Sequence, residues 1–163
     1  MGIINLYPFG EININEFNDY YESEIQISNR KISVDLNFRG KNLDDSIIKK
    51  IQMFTKQISD FEKLAFDYLT EDFNKSKEYG VKSYMEHHLE VVEQDELKEL
   101  FGTTNIDFNL FLSKLALKRI GFYPTNKDEF AVFDISLPYD FTDYLIVVYF
   151  DLDGNITNLS VES

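Results

Sequence analysis

The C-terminal stretch LIVVYFDLDGNITNLSVES, residues 145–163, decides the fold. Its acidic residues imitate a helix-loop-helix calcium loop, because Asp151, Asp153 and Glu162 occupy the first, third and twelfth positions of that motif. Such a loop needs glycine at its sixth position, where the chain turns sharply, but Ile156 stands there. A positive φ is costly for a β-branched residue. The apolar run before the acids is typical of a strand, so we predict a β-hairpin.

The hairpin interpretation places Asp153 and Gly154 at the tip, since this dipeptide strongly favours two-residue turns. The predicted cross-strand pairs are Leu152 with Asn155, Phe150 with Thr157, Val148 with Leu159, and Ile146 with Val161. In this register Glu162 lies roughly 23 Å from the tip, at ~3.3 Å per residue, and cannot complete a coordination shell with Asp151. Weak cation binding by Asp151 and Asp153 alone stays open.

A second hairpin is predicted in YYESEIQISNRKISVDLNF, residues 20–38. Ile25 and Ile27 alternate with polar residues, and the same alternation continues after the turn. A period of two with one polar face indicates a half-buried antiparallel pair. A shorter strand around residues 11–15 is expected to precede it.

The middle of the chain changes to helical periodicity. Apolar residues recur at steps of three and four from Ile47 to Tyr68, which predicts one long amphipathic helix ending near Phe73. Asn42 is the expected N-cap of this helix. Three shorter helical segments follow, at about 81–92, at 95–101 and from 105 onwards.

Strands, then helices, then strands predict one α+β domain over residues 1–163. We expect a mainly antiparallel sheet, built from an N-terminal hairpin and a C-terminal meander, with a central block of about four helices packed on it. No Pro-, Gly- or Ser-rich linker divides the chain, and its 44% hydrophobic residues can supply one core.

The composition restricts the classes of partner. With 29 acidic and 16 basic residues the net charge is -13. This disfavours nucleic acids, which are bound by clustered Lys and Arg, and anionic membranes. A basic protein partner fits the charge, as does simple solubility. The absence of cysteine excludes disulfides and thiolate chemistry, and with no recognisable signal peptide we expect a cytoplasmic protein.

The two histidines, His87 and His88, are adjacent in YMEHHLE. Adjacent helical residues point ~100° apart, so the pair cannot bind one metal ion together. His88 shares the apolar stripe, and we interpret it as a partly buried histidine with a local hydrogen bond. His87 with Glu86 and Glu90 is the best candidate for hydrolytic or metal-assisted chemistry, but the sequence shows no third ligand. No catalytic, cofactor or metal site is therefore predicted.

The densest acidic run is EVVEQDELKEL, residues 90–100. Such a run is usually a solvated helix face, and its functional interpretation is a docking surface for a basic partner. We call this candidate face the acidic ridge, formed by Glu90, Glu93, Asp95, Glu96 and Glu99.

Five segments carry a family resemblance: FGEININEFNDYYESEI, ISVDLNF, YMEHHLE, RIGFYP and TDYLIVVYFDLDGNITNLSVES. The most specific are YMEHHLE and TDYLIVVYFDLDGN. Together they span nearly the whole chain and resemble the bacterial family called domain of unknown function 2004. The resemblance implies a small soluble bacterial protein and no particular activity.

We therefore expect a non-catalytic binding or interaction protein. Some acidic bacterial proteins of this size are immunity proteins that neutralise toxins encoded beside them, so a basic toxin is the candidate partner by class-level analogy. Two alternatives stay open: a hydrolase or metal-assisted enzyme using His87 with Glu86 and Glu90, and a structural homo-oligomer. The sequence leaves the partner, its interface and the oligomeric state undetermined.

Overall fold

The computed structural model describes residues 2–16, 18–38 and 43–163. The strands are β1 Ile3–Leu6, β2 Gly10–Asn13, β3 Tyr20–Ile27, β4 Arg30–Asn37, β5 Ala116–Phe122, β6 Ala131–Ser136, β7 Leu145–Phe150 and β8 Ile156–Glu162. The helices are α1 Asp45–Lys56, α2 Ile58–Lys75, α3 Val81–Val91, α4 Gln94–Phe101 and α5 Phe108–Lys114.

Six strands form one mixed sheet in the order β3-β4-β5-β6-β7-β8, and β1 pairs with β2 in a separate hairpin. The α+β class is confirmed. Every neighbouring pair in the large sheet is antiparallel except β4 and β5, which are parallel. The helices α1 to α5 all lie between these two strands in the chain, and such a crossover is what allows parallel pairing.

The predicted long helix is two helices, α1 and α2, separated at Gln57, whose φ of -116° and ψ of 27° are not helical. The apolar stripe continues across the break, which is why periodicity alone suggested one helix. Asn42, the expected N-cap, lies outside the described residues; the N-cap is Asp44, whose side chain accepts a hydrogen bond from the Ile47 N–H. No helix in the described ranges is long and apolar enough to cross a membrane.

The C-terminal hairpin confirms the predicted antiparallel pairing of β7 with β8. The confirmed pairs are Ile146 with Val161 and Val148 with Leu159. Nearer the tip the register shifts by one residue, so that Phe150 lies opposite Ile156 and not Thr157. The shift is a β-bulge, in which one strand contributes an extra residue.

The turn of this hairpin also differs from the prediction. The Gly154 N–H donates to the Asp151 carbonyl at 3.1 Å, which puts Leu152 and Asp153 at the centre of the turn. Gly154 follows with a φ of 83°, as in three-residue hairpin loops closed by a glycine bulge. The Asp151 Oδ1 accepts hydrogen bonds from the N–H groups of Asp153 and Asn155, each at 2.9 Å. This side-chain bonding favours the longer turn over the predicted one.

A cluster of phenylalanines joins α1 and α2 to the sheet. Phe54 and Phe61 stack at 4.2 Å between ring centroids, and both meet Phe150 nearly edge-on. Phe54 also contacts Phe122 and Phe130. Burying one such side chain stabilises the fold by ~1.5–3 kcal/mol, so this cluster fixes the helices on one face of the sheet. Successive residues of a strand point to opposite faces of the sheet, so the strand residues next to these phenylalanines point away from the helices.

Candidate functional site

A cavity of about 500 Å³ opens on the sheet face opposite the phenylalanine cluster. We call it the sheet cavity; its lining residues are Asn37, Arg119, Tyr123, Thr125, Asn126, Glu129, Val132, Asp134, Leu145, Val147, Tyr149 and Glu162. They come from strands β4 to β8 and from the connection between β5 and β6, and none comes from a helix. The volume lies in the range of roughly 300–1,000 Å³ that is usual for ligand sites.

Arg119 is held between two carboxylates in this cavity. Its Nε and Nη2 donate to Asp35 at 2.5 and 2.8 Å, and its Nη1 donates to Asp134 Oδ2 at 3.1 Å. Nη2 also donates to the Tyr123 hydroxyl at 2.9 Å. Asp35 is 2% exposed and Asp134 8% exposed, so the carboxylates are almost withdrawn from water. Buried charges are tolerated when they are paired and hydrogen-bonded in this way.

The space for the guanidinium comes from Gly121. Arg119, Gly121 and Tyr123 alternate along β5 and its end, so they share one face of the sheet. A Cβ at residue 121 would lie 2.6 Å from Arg119 Nη2, closer than real Cβ contacts. The absence of a side chain there lets the guanidinium lie along the strand and reach the Tyr123 hydroxyl.

The electrostatics of the cluster are dominated by burial. Burial raises the pKa of Asp134, the charge and hydrogen bond of Arg119 offset only part of this, and the nearby charges of Asp35 and Glu162 raise it further. Burial disfavours the charged form of Arg119, but its hydrogen bonds to Asp35 and Tyr123 leave its pKa raised overall. The guanidinium therefore stays charged, and one base compensates two acids.

The rim of the cavity adds a phenol and two more acids. The Tyr149 hydroxyl donates to Glu162 Oε1 at 3.3 Å. Burial raises the pKa of Tyr149, and the charges of Glu162 and Glu129 act in the same direction, so the phenol stays protonated. Among the described lining residues, one base, Arg119, faces three carboxylates, those of Glu129, Asp134 and Glu162.

This site was not identified in the sequence. In the sequence, Asp35 belongs to the polar face of an alternating strand, and such a face is typically solvated. The usable signal was Asp134, which interrupts the apolar run FAVFDISL. A charge inside a buried strand normally has a partner, and the partner here, Arg119, stands in KRIGFY one strand earlier.

The acidic ridge is exposed. Glu90 lies on α3, Glu93 is the N-cap residue of α4, and Asp95, Glu96 and Glu99 lie on α4. None of the five lines the sheet cavity. Asp95 and Glu96 stand in the first turn of α4, where acids favour the positive end of the helix dipole. The ridge is thus an exposed charged surface, and helix stability accounts for part of its charge.

The two histidines separate as predicted. His88 is 1% exposed, and its Nδ1 lies 2.7 Å from the Tyr84 carbonyl, which confirms the buried, hydrogen-bonded interpretation. His87 is half-buried and its ring centroid lies 5.0 Å from that of Tyr144. Glu86 is exposed. In the described ranges no group of three or more His, Asp or Glu side chains is placed to hold a metal ion.

The calcium-like segment is organised by hydrogen bonds within its own turn. The Asp151 carboxylate is occupied by backbone N–H groups of its own turn. Asp153 lies 3.5 Å from Lys50 Nζ in an exposed ion pair. Glu162 pairs with Leu145 at the far end of the hairpin. The three acids that imitate a calcium loop therefore do not converge on one point.

Comparison with known proteins finds no family model, no curated protein and no solved structure that matches this chain. Among the features of the described residues, the sheet cavity is the one that combines a concave shape, buried charge and aromatic walls.

Proposed function

We propose that this chain is a non-catalytic binding protein whose partner is a basic protein, and that it acts as a cytoplasmic bacterial immunity protein by covering the active site of a toxin. The observation that supports this most directly is the sheet cavity, a concave acidic site on a face that the helices leave open. Arg119 is its one described base, and its hydrogen bonds already go to Asp35, Asp134 and Tyr123.

The surroundings of the cavity resemble a protein interface in composition. Tyr20, whose strand neighbour is Asn37 of the lining, is 50% exposed, and Tyr139 is 58% exposed. The Tyr139 ring centroid lies 5.1 Å from Nζ of Lys118, the residue before Arg119, which places this tyrosine near the cluster. Exposed tyrosines are enriched at the centres of interfaces, because they bury a large area with few rotatable bonds.

The net charge of -13 supports a basic partner on kinetic grounds. Complementary charge steers two proteins together and raises the association rate constant, most strongly at low salt. In this proposal the acidic ridge contributes to steering, while the sheet face makes the stable contact. The resemblance to domain of unknown function 2004 supports the bacterial source that this proposal assumes.

The direct test uses a basic toxin candidate encoded beside this gene. The two purified proteins are mixed, and both the toxin activity and the dissociation constant are measured. We expect stoichiometric inhibition that weakens as salt increases, because the contact is between opposite charges. Absence of binding and inhibition for the neighbouring basic products would contradict the proposal.

Two pairs of charge reversals locate the interface. Glu129→Lys with Glu162→Lys alters the rim of the sheet cavity, and both residues are exposed. Glu93→Lys with Glu96→Lys is the matched pair on the acidic ridge. The rim pair should weaken binding by about tenfold or more, whereas the ridge pair should mainly slow association. The opposite pattern would place the partner on the helices.

A further inference from the structure

We propose that the sheet cavity receives a guanidinium group, that of an arginine side chain on the basic partner. That the guanidinium belongs to a partner protein rests on the proposed function. The preference of the cavity for a guanidinium follows from the residues of the cavity and can be tested without the partner.

The carboxylate of Asp134 is only partly hydrogen-bonded within the described residues. Its Oδ2 accepts a hydrogen bond from Arg119 Nη1, but its Oδ1 accepts none from the described residues. Asp134 lines the cavity, and its Oδ1 is not among the buried oxygen atoms without a partner, so a donor that enters the cavity can reach it. A hydrogen-bond donor that enters the cavity would satisfy it, and a cationic donor would do so most strongly.

The described charged residues that line the cavity are mostly acidic. Arg119 gives two hydrogen bonds to Asp35 and one to Asp134, so its charge is shared by both. Glu129 and Glu162 on the rim have no ion pair within the described residues. An anion would therefore be repelled by the cavity, and a cation is the favoured guest.

The aromatic wall of the cavity suits a planar group. Tyr149 and Tyr123 both line the cavity, and they are the aromatic rings of its wall. A planar guanidinium can stack on a phenol ring while its N–H groups reach carboxylates at its edge, which a compact ammonium cannot do as well. The same sheet face already holds one guanidinium by its edge, since Arg119 donates to Asp35, Asp134 and the Tyr123 hydroxyl. Arginine is therefore preferred to lysine.

The test uses N-acetyl-arginine amide as the probe, titrated into the ¹⁵N-labelled protein and followed by NMR. N-acetyl-citrulline amide is the control, because it has nearly the same shape without the charge. We expect saturable shifts centred on Val132 and Val147, which lie in the lining, for the arginine probe only. N-acetyl-lysine amide should bind more weakly. Equal behaviour of the arginine and citrulline probes would overturn the proposal.

Two variants connect the signal to the cavity. Asp134→Asn removes the carboxylate charge, and its matched control is Asp140→Asn, at an exposed residue outside the lining. Val132→Phe fills the cavity without changing charge, and its control is Val91→Phe on the exposed side of α3. Thermal unfolding shows which variants fold. Each folded cavity variant should weaken probe binding by about tenfold, or 1.4 kcal/mol, and unchanged binding in either would overturn the assignment.

The same variants separate this inference from the proposed function. If a basic toxin binds with unchanged affinity to the folded cavity variants, the toxin-binding function stands and the arginine site is wrong. If the arginine probe binds but no neighbouring basic protein does, the site stands as a receptor for a free guanidinium compound and the immunity function fails.

Discussion

The imidazole Nε2 of His88 and the hydroxyl of Thr142 lie 2.7 Å apart and join α3 to the segment that precedes β7. Because Nδ1 faces the Tyr84 carbonyl, it must carry the proton, so Nε2 accepts from the Thr142 hydroxyl. The Thr142 Oγ1 in turn accepts from the Tyr144 N–H, and the Tyr84 hydroxyl donates to the Tyr144 carbonyl. These four hydrogen bonds form a closed ring, and burial favours the neutral histidine within it because it lowers the pKa of His88.

The stability of the protein should therefore fall when His88 is protonated. Burial lowers the pKa of His88 from its ordinary value of 6.5, so the unfolded chain takes up the proton at a higher pH than the folded chain. The contribution is complete above 6.5 and decreases as the pH falls towards the lowered folded pKa. Chemical denaturation of the wild type and His88→Gln between about pH 8 and pH 5.5 should show a steeper loss in the wild type.

Thr142→Ser is the matched control for this ring of hydrogen bonds, because it keeps the hydroxyl. It should retain the pH dependence, whereas His88→Gln should also cost about 1–3 kcal/mol at high pH by leaving buried groups unpaired. Identical pH profiles for the wild type and His88→Gln would show that His88 does not sense pH.

Replacing Arg119 with methionine should destabilise the protein by about 3–5 kcal/mol near neutral pH, because two buried carboxylates then lose their counter-charge. Asp35 and Asp134 accept all three of its ion-paired hydrogen bonds. The cost should shrink when the pH is lowered to about 4, because burial raises the pKa of Asp134 and its carboxylate then loses its charge. Urea unfolding at the two pH values measures the difference.

Arg119→Lys is the informative companion variant. It keeps the charge but loses the fork that binds Asp35 through two nitrogens, so an intermediate loss of stability is expected. A loss in Arg119→Met that does not depend on pH would mean that packing, and not charge, is what Arg119 contributes.

The strands of the two predicted hairpins could be recognised because each has one apolar face, whereas β1 was not predicted. In β4, Ile32, Val34 and Leu36 are completely buried, as their alternation indicated. The parallel pairing of β4 with β5 could not be predicted, since strands so far apart in the chain leave no local trace of their register. The division at Gln57 was missed for a related reason, because the apolar stripe has the same period on both sides.

The role of Asp35 in the candidate site could not be recognised in the sequence, because its burial depends on a residue far away in the chain. Asp35 alternates with apolar neighbours in the same way as an exposed polar residue would. It is 2% exposed and pairs with Arg119, a residue 84 positions later that lies on the parallel neighbour. The acidic ridge was easier to recognise, since exposed charge on a helix follows directly from local periodicity.

The N-terminus of α3 should depend on Asp72, a buried residue of α2. The Asp72 Oδ2 accepts a hydrogen bond from the Val81 N–H at 2.8 Å, and Lys77 Nζ lies 3.2 Å from Oδ1. The N-cap residue itself is Gly80, which has no side chain to do this. Asp72→Ala should cost about 1–2 kcal/mol, the usual value of a lost cap.

Asp67→Ala is the control for Asp72, since Asp67 lies on the same helix in an exposed pair with Lys63. Its effect should stay within about 0.5 kcal/mol. Equal losses in the two variants, measured by thermal unfolding, would show that the interhelical cap is unimportant.

Calcium should not stabilise the protein, because the Asp151 carboxylate is already bonded to the Asp153 and Asn155 N–H groups. Titration calorimetry with calcium chloride should give no saturable heat, and the melting temperature should not change. Asp151→Ala should lower stability by about 1 kcal/mol through the lost turn bonds. Tight calcium uptake that disappears in Asp151→Ala would refute the hairpin interpretation of this turn.

Gly154→Ala should be more harmful than substitution at another glycine of the same backbone conformation. Gly154 has a φ of 83°, and a Cβ there would lie 2.9 Å from the ring of Phe61. Gly102 has a φ of 76° with nothing within 4 Å of its Cβ position, so Gly102→Ala measures the backbone cost alone, about 1–2 kcal/mol. The excess loss in Gly154→Ala then measures how tightly the hairpin tip packs on α2, and about 1–3 kcal/mol is expected for such overpacking. Equal losses in the two variants would mean that the tip is not held against Phe61.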